Sequence, residues 1–188
     1  LVSYKISFGE TQFQLKSPQD SQTGFMLSQA IHCYARIPEH LRPVVKNIAI
    51  DPGSNPMDAY WAKQYNMENF TSAATGANGS VNFYHGTKYF MEDYFNHEFG
   101  HNVGQAYSTK NTLIPDNWEA AVKADGQVVT DYAKSSPAES FAEAWMTYMS
   151  IKGGQKFPLT EQDFKQKYPN QAKVLESIYS GEVKPSKH

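Results

Sequence analysis

The sequence predicts an α+β fold, in which a small twisted sheet packs on a helix carrying His97, Glu98 and His101 and a largely helical C-terminal half follows. Three observations lead there. Apolar residues alternate with polar ones in short runs within the first 85 residues; helical apolar spacing dominates the remainder; and the two patterns meet at the pentapeptide His97-Glu98-Phe99-Gly100-His101. With 188 residues the chain is long enough for one domain with a core of its own.

The elements can be justified in chain order. Val2, Tyr4, Ile6 and Phe8 alternate with polar residues, Gly9-Glu10 supplies a two-residue turn, and Thr11, Phe13 and Leu15 alternate again, so residues 1–16 read as a β-hairpin. Residues 25–37 have helical spacing and stop before Pro38. Residues 46–51 read as a strand closed by Pro52-Gly53, and 58–65 as a helix. The stretch 71–80 is small, polar and glycine-bearing and reads as a loop; 81–85 then reads as a strand running into the pentapeptide helix. Such a strand on the open edge of the sheet, beside that helix, could pair its backbone with an extended chain. Residues 184–188 look disordered.

Composition excludes more than it assigns. A formal charge of −2, with no basic stripe or block of like charge, gives no reason to expect nucleic acid or an anionic membrane as partner. No apolar run approaches the roughly 20 residues that span a bilayer. Leu1 begins no signal peptide, so the expectation is a mature or excised domain. Cys33 is the single cysteine, which excludes an internal disulfide and a thiolate-only metal site; it lies in an apolar helical stretch, where a buried structural thiol is the expectation.

The pentapeptide is an HExxH motif. On a helix, residues four apart are rotated by only roughly 40°, so both imidazoles leave the same face and can meet one metal ion. Zinc accepts neutral imidazole nitrogen, and Glu98 falls where it can take a proton from a water beside the ion, so the motif points to a zinc peptidase. The plain alternative is two histidines one turn apart on an exposed helix face, with Glu98 an ordinary helix former.

A catalytic zinc ion commonly has three protein ligands, and three residues compete for the third place. HEFGHNVG follows the HExxHxxGxxH pattern of the metzincins until its last position, where Tyr107 replaces histidine; a neutral phenol is a poor zinc ligand. Glu119, eighteen residues after His101, is close to thermolysin-like spacing, but Asp116-Asn117-Trp118-Glu119 also reads as a D-x-x-E capping box. Glu139 lies in a helix that starts at Ser136-Pro137 and carries an apolar stripe of Ala138, Phe141, Ala142, Trp145 and Met149. Glu139 and Glu143 sit one turn apart beside that stripe, where a carboxylate is costly unless something positive meets it. Glu139 can then be a ligand and Glu143 the acceptor for an imidazole N–H. Otherwise Glu139 completes an S-x-x-E box with Ser136 and Glu143 faces solvent.

HEFGH together with Tyr132-x6-Glu139-x-Phe141-Ala142-Glu143-Ala144 resembles the catalytic domain of the anthrax lethal factor and bacterial Pro-Pro endopeptidase family. That family carries an HExxH helix, a glutamate ligand within an E-F-F-A-E-[AS] helix, and a tyrosine seven residues before that glutamate. The resemblance covers roughly residues 81–148 and implies a zincin fold. It implies one zinc ion held by His97, His101 and Glu139, Glu98 as general base, and Tyr132 facing the substrate carbonyl. Pro137 is similar to the Pro-Pro branch and HEFGH to the lethal-factor branch, while Ser140 departs from the usual phenylalanine.

These readings lead to one domain over 1–188, with a catalytic core over 81–149 and a flexible tail over 182–188. The expected activity is that of a gluzincin-type zinc metalloendopeptidase, monomeric, secreted or delivered as part of a toxin, acting on a polypeptide. The alternative from another class is a catalytically silent zincin-type interaction domain of a larger bacterial toxin or surface protein. Among the remaining candidates, His85 reads as a cleft or surface residue and His32 and His40 as structural. Phe90, Tyr94, Phe95 and Phe99 read as core around the motif helix.

Overall fold

The computed structural model describes residues 1–18, 23–85, 92–154 and 158–186. Its sheet is five-stranded and mixed, in the order β1-β2-β3-β5-β4. The opening hairpin is β1 (Val2–Phe8) and β2 (Thr11–Ser17), paired antiparallel from Val2–Ser17 to Phe8–Thr11. Gly9 turns it at a φ of 60°, a value glycine adopts without strain. Helix α1 (Thr23–Ala35) ends ahead of Pro38, and β3 (Asn47–Ile50) then pairs parallel with β2, setting Leu15 opposite Ile48. Helix α2 occupies Asp58–Tyr65, the segment predicted.

Half of the segment predicted as a loop over 71–80 is instead strand. Here β4 (Ala74–Ala77) and β5 (Ser80–Phe83) form a second hairpin, and β5 also pairs parallel with β3. Its turn is Asn78-Gly79, with φ of 53° and 74°; positive φ at both positions is the geometry that Asn-Gly favours between antiparallel strands. The strand beside the motif helix on the open edge of the sheet is therefore β4, with β5 interior. The predicted strand over 81–85 also ends early, because His85 takes a φ of 61° and leaves the ladder.

Helix α3 (Glu92–Ala106) carries the motif, and α4 (Trp118–Asp125), α5 (Pro137–Lys152), α6 (Glu161–Lys167) and α7 (Pro169–Tyr179) make the second half helical. One apolar core joins both halves. Phe13, Leu15, Ile48, Ile50, Val81 and Phe83 of the sheet pack with Phe95, Phe99 and Val103 of α3 and with Phe141 and Trp145 of α5. Cys33 belongs to this core, and burial pushes its thiol up to about 12, so it is an inert packing residue. In the described part of the C-terminal segment, the Ser186 N–H donates to Ala106 O at 2.8 Å, supplying an orphan carbonyl at the end of α3. No described helix is long and apolar enough to cross a membrane.

Candidate metal centre

Two helices bring the site together. Glu92 and Asp93 stand in the first turn of α3, where negative charge suits the helix dipole. Helix α5 starts as predicted: Ser136 Oγ accepts the Glu139 N–H at 3.1 Å and Pro137 follows at the first helical position. Between the helices Gly100 permits close approach, since a Cβ there would come within 3.0 Å of Ala142 Cα and 3.2 Å of Trp145 Cβ. That contact brings the first two turns of α5 against the motif face of α3.

His97 and His101 are both buried, with their rings edge to face and 4.9 Å apart. Glu139 Oε2 lies 3.0 Å from His97 Nε2 and 3.6 Å from His101 Nε2. The ligand atoms of His97, His101 and Glu139 all fall within 4.8 Å of one another, a group that could hold a metal ion. The spacing fits. Tetrahedral bonds of about 2.0–2.1 Å separate neighbouring ligand atoms by roughly 3.3 Å, and the two observed Glu139 distances lie on either side of that value. Glu139 is therefore drawn to the histidines, and its carboxylate does not close a capping box on Ser136.

The outer nitrogen of His97 is also engaged. Its Nδ1 lies 2.8 Å from Glu143 Oε1, and Glu143 Oε2 accepts a hydrogen bond from Thr130 Oγ1 at 2.7 Å. Burial alone would lower the His97 pKa, but hydrogen bonds to Glu139 and Glu143 and the charge of Glu98 outweigh it and raise it to about 10. Burial likewise acts to raise Glu139, and contact with His101 and His97 brings it down to about 2. His101 Nδ1 is buried and has no hydrogen-bond partner among the described residues.

Glu98 differs from the other two glutamates. It is 7% exposed, faces the cleft, and burial raises its carboxyl pKa, opposed by the nearby histidines. Its backbone is pressed against β4: a Cβ on Gly76 would fall 2.0 Å from Glu98 O. Asn102 fastens the same hairpin, donating to Glu98 O at 3.0 Å and Ser80 O at 2.9 Å and accepting the Gly79 N–H at 2.8 Å. Gln105 adds a reciprocal pair with Asn78 at 2.7 and 2.8 Å. Neither Asn102 nor Gln105 stood out in the sequence. The signal that could have found them was Asn78-Gly79, because an Asn-Gly turn between small residues implies a strand pair that must dock somewhere.

The cleft over the centre has a volume of about 410 Å³, with His97, Glu98 and Glu143 among its lining and Phe70, Ala74, Tyr94 and Met146 around them. Tyr132 stands at its rim on a 3₁₀ turn (Tyr132–Lys134), 57% exposed, its ring 6.0 Å from that of His97. Of the aromatic set expected in the core, Phe95 and Phe99 are buried there, Tyr94 lines the cleft instead, and Phe90 lies outside the described residues.

The rival ligands stand elsewhere. Glu119 is exposed on α4, outside the metal group. The predicted D-x-x-E box does not form, because Asp116 accepts the Thr109 N–H at 3.1 Å and its hydroxyl at 2.6 Å, and Asn117 caps α4 without a side-chain bond. Tyr107 is buried beyond the end of α3 and outside the group. Ser140, where the sequence departs from phenylalanine, accepts the Trp118 indole N–H at 3.3 Å, so Trp118 packs against Phe141 in its place. His85 is not in the cleft lining, and its N–H bonds to Gly53 O. His40 Nε2 lies 3.0 Å from Ile178 O, a structural contact.

A second cavity, of about 360 Å³, is lined by His32, Arg36, Asn96 and Lys152. Its cations are already matched: Arg36 pairs with Glu92 at 3.0 Å and Lys152 with Glu161 at 2.8 Å. No family model matches the chain, and no curated protein matches it.

Proposed function

We propose that this chain is a zinc-dependent metalloendopeptidase of the gluzincin type, with a zincin fold, that hydrolyses peptide bonds in a polypeptide. The observation that carries the reading is the convergence of His97 Nε2, His101 Nε2 and a Glu139 oxygen within 4.8 Å, with Glu98 outside that group but facing the same cleft. Two imidazoles and one carboxylate are a donor set that suits zinc and leaves a coordination position open. When bound, zinc would polarise a carbonyl and lower the pKa of a water molecule beside it.

The chain's own residues account for the remaining steps. Glu98 takes a proton from water and returns one to the leaving amine, a task suited to a carboxyl whose pKa burial raises. Glu143 holds the His97 ring through Nδ1 and leaves Nε2 directed at the centre. Tyr132, at the rim beside His97, offers a phenol to the carbonyl oxygen as negative charge develops on it. Strand β4 supplies the docking edge. Tyr84 N–H donates to Ala73 O, so by alternation along an antiparallel ladder Ala74, in the cleft lining, turns its backbone groups away from β5 and toward an extended substrate.

The test combines metal analysis with digestion of a peptide library. The chain should bind one zinc ion and cleave internal peptide bonds, and a chelator should abolish the cleavage. His97→Ala and Glu139→Ala should each lose both zinc and cleavage, since a ligand is removed. A chain that binds zinc stoichiometrically yet cuts no peptide would favour the silent interaction domain. Stoichiometric zinc retained by His97→Ala would dispose of the centre itself.

A further inference from the structure

We infer that Thr130 is a positioning residue that fixes the orientation of His97 and ties the Tyr132 turn to the metal centre. The inference rests on the metal-centre reading above and concerns a loop residue that carries no recognisable motif. Two hydrogen bonds meet at its hydroxyl. Ala133 N lies 3.1 Å from Thr130 Oγ1, and Thr130 Oγ1 lies 2.7 Å from Glu143 Oε2.

The direction of this chain of bonds follows from what each group can do. A backbone N–H only donates, so the hydroxyl accepts from Ala133, and its one proton is left for Glu143. Glu143 is therefore an acceptor at Oε2. At its other oxygen stands His97 Nδ1, 2.8 Å away. A carboxylate oxygen accepts, so Nδ1 is the donor. In the neutral ring the lone pair is then on Nε2, which faces His101 and Glu139, the orientation a metal ion requires.

The same hydroxyl has a second consequence. Ala133 follows Tyr132 directly, and it is the buried residue of the 3₁₀ turn, whereas Tyr132 is exposed. Ser135 closes the turn from the other side, its N–H and Oγ donating to Tyr132 O at 3.0 and 2.7 Å. Those bonds are internal to the turn. The Ala133–Thr130–Glu143 link is a path of hydrogen bonds from the turn to His97, so it helps to set where the phenol stands relative to the imidazole. A serine would supply the same bonds, and a valine would supply the same shape without them.

The experiment compares Thr130→Val and Thr130→Ser in the full chain, with zinc as the probe. Competition with a chelator should show Thr130→Val binding zinc about tenfold more weakly than the parent, at the low end for an outer partner of a ligand. Thr130→Ser should restore parent affinity. In the zinc-loaded protein the His97 Nδ1–H proton resonance should move in Thr130→Val, and Ala133 amide exchange should quicken; neither should change in Thr130→Ser. With a cleaved peptide, Thr130→Val at saturating zinc should lower kcat with KM little changed. Parent zinc affinity and an unmoved His97 resonance in Thr130→Val would overturn the inference, as would a serine variant no better than the valine one. Affinity and resonance need no substrate, so they test Thr130 even if the parent cleaves nothing, an outcome that would count against the peptidase reading alone.

Discussion

Two carboxylate clusters in this molecule are built to opposite rules. Where α4 meets α7, Asp125 accepts four hydrogen bonds, from the N–H and side-chain amide of Asn170 at 3.0 and 2.7 Å and from those of Gln171 at 2.9 and 3.1 Å. Every donor is a neutral amide, and together they outweigh burial and hold the Asp125 carboxyl below its usual range. Gln171 Oε1 has no partner among the described residues, a neutral oxygen whose neglect costs less than an uncompensated charge. Where α3 meets α5, Glu98, Glu139 and Glu143 crowd around two imidazoles. There the pKa values are driven apart: Glu139 down to about 2, Glu98 upward, and His97 up to about 10. The first cluster is complete and asks for nothing. The second sets three carboxylates around two imidazoles, an arrangement that one more positive charge would suit.

The largest effect is expected at Glu98, which faces the cleft but is not among the residues of the metal group. Glu98→Gln should keep zinc content and Tm, and lower peptide hydrolysis by roughly 10²–10⁴-fold, because an amide cannot accept the proton. Cleavage at the parent rate would show that Glu98 is only a buried acid. Next in size is Tyr132→Phe, with an expected fall in kcat of roughly 10²–10³-fold at unchanged zinc content. An increase in KM alone would mean that the phenol grips substrate evenly in ground and transition states.

A smaller effect sharpens the distinction between ligand and support. Glu143→Ala leaves His97, His101 and Glu139 in place but removes the acceptor of His97 Nδ1, so zinc affinity should fall roughly 10–100-fold in chelator titrations. Glu119→Ala is the control. Exposed on α4 and outside the metal group, it should leave zinc affinity where it was. Should Glu119→Ala prove the weaker binder of the two, the site would have to be rebuilt around thermolysin-like spacing.

What could be seen in the sequence tracks how local each interaction is. His97, Glu98 and His101 are legible because four residues make one helical turn, and the start of α5 is legible because Ser136 and Pro137 act on their own helix. The segment 74–77 hid its strand for a physical reason. Ala-Thr-Gly-Ala is poor strand sequence, yet Gly76 has to be small, since it touches the backbone of Glu98. The site itself imposed the composition that reads as a loop. Asp116 could not be assigned because Thr109 competes for it, and Thr130 because its importance lies in where a fold places one hydroxyl. Asp125 was invisible for the same reason, as its partners stand 45 and 46 residues further on.

Asp125 also provides the smallest test, one that should leave the metal centre untouched. Helix α7 begins with Pro169 after Tyr168, which offers no side-chain cap. The N–H groups of Asn170 and Gln171 would be orphans, and Asp125 at the end of α4 accepts both, capping α7 from a different helix with a charge that suits its dipole. Asp125→Ala should therefore cost about 1–2 kcal/mol of stability at neutral pH, with zinc affinity and cleavage unchanged. The pH dependence has a definite sign. Because the folded-state pKa of Asp125 is lowered, its contribution is fully present above the unfolded value of about 3.9 and is lost as pH falls through the folded value. The Tm gap between parent and Asp125→Ala should be steady from pH 7 to about 5 and close in more acidic solution. A gap that persists unchanged at the lowest pH where the protein still folds would mean that Asp125 acts through packing rather than charge. A loss of zinc in the same variant would show that the two clusters are coupled, and that the closed one helps to hold the open one in shape.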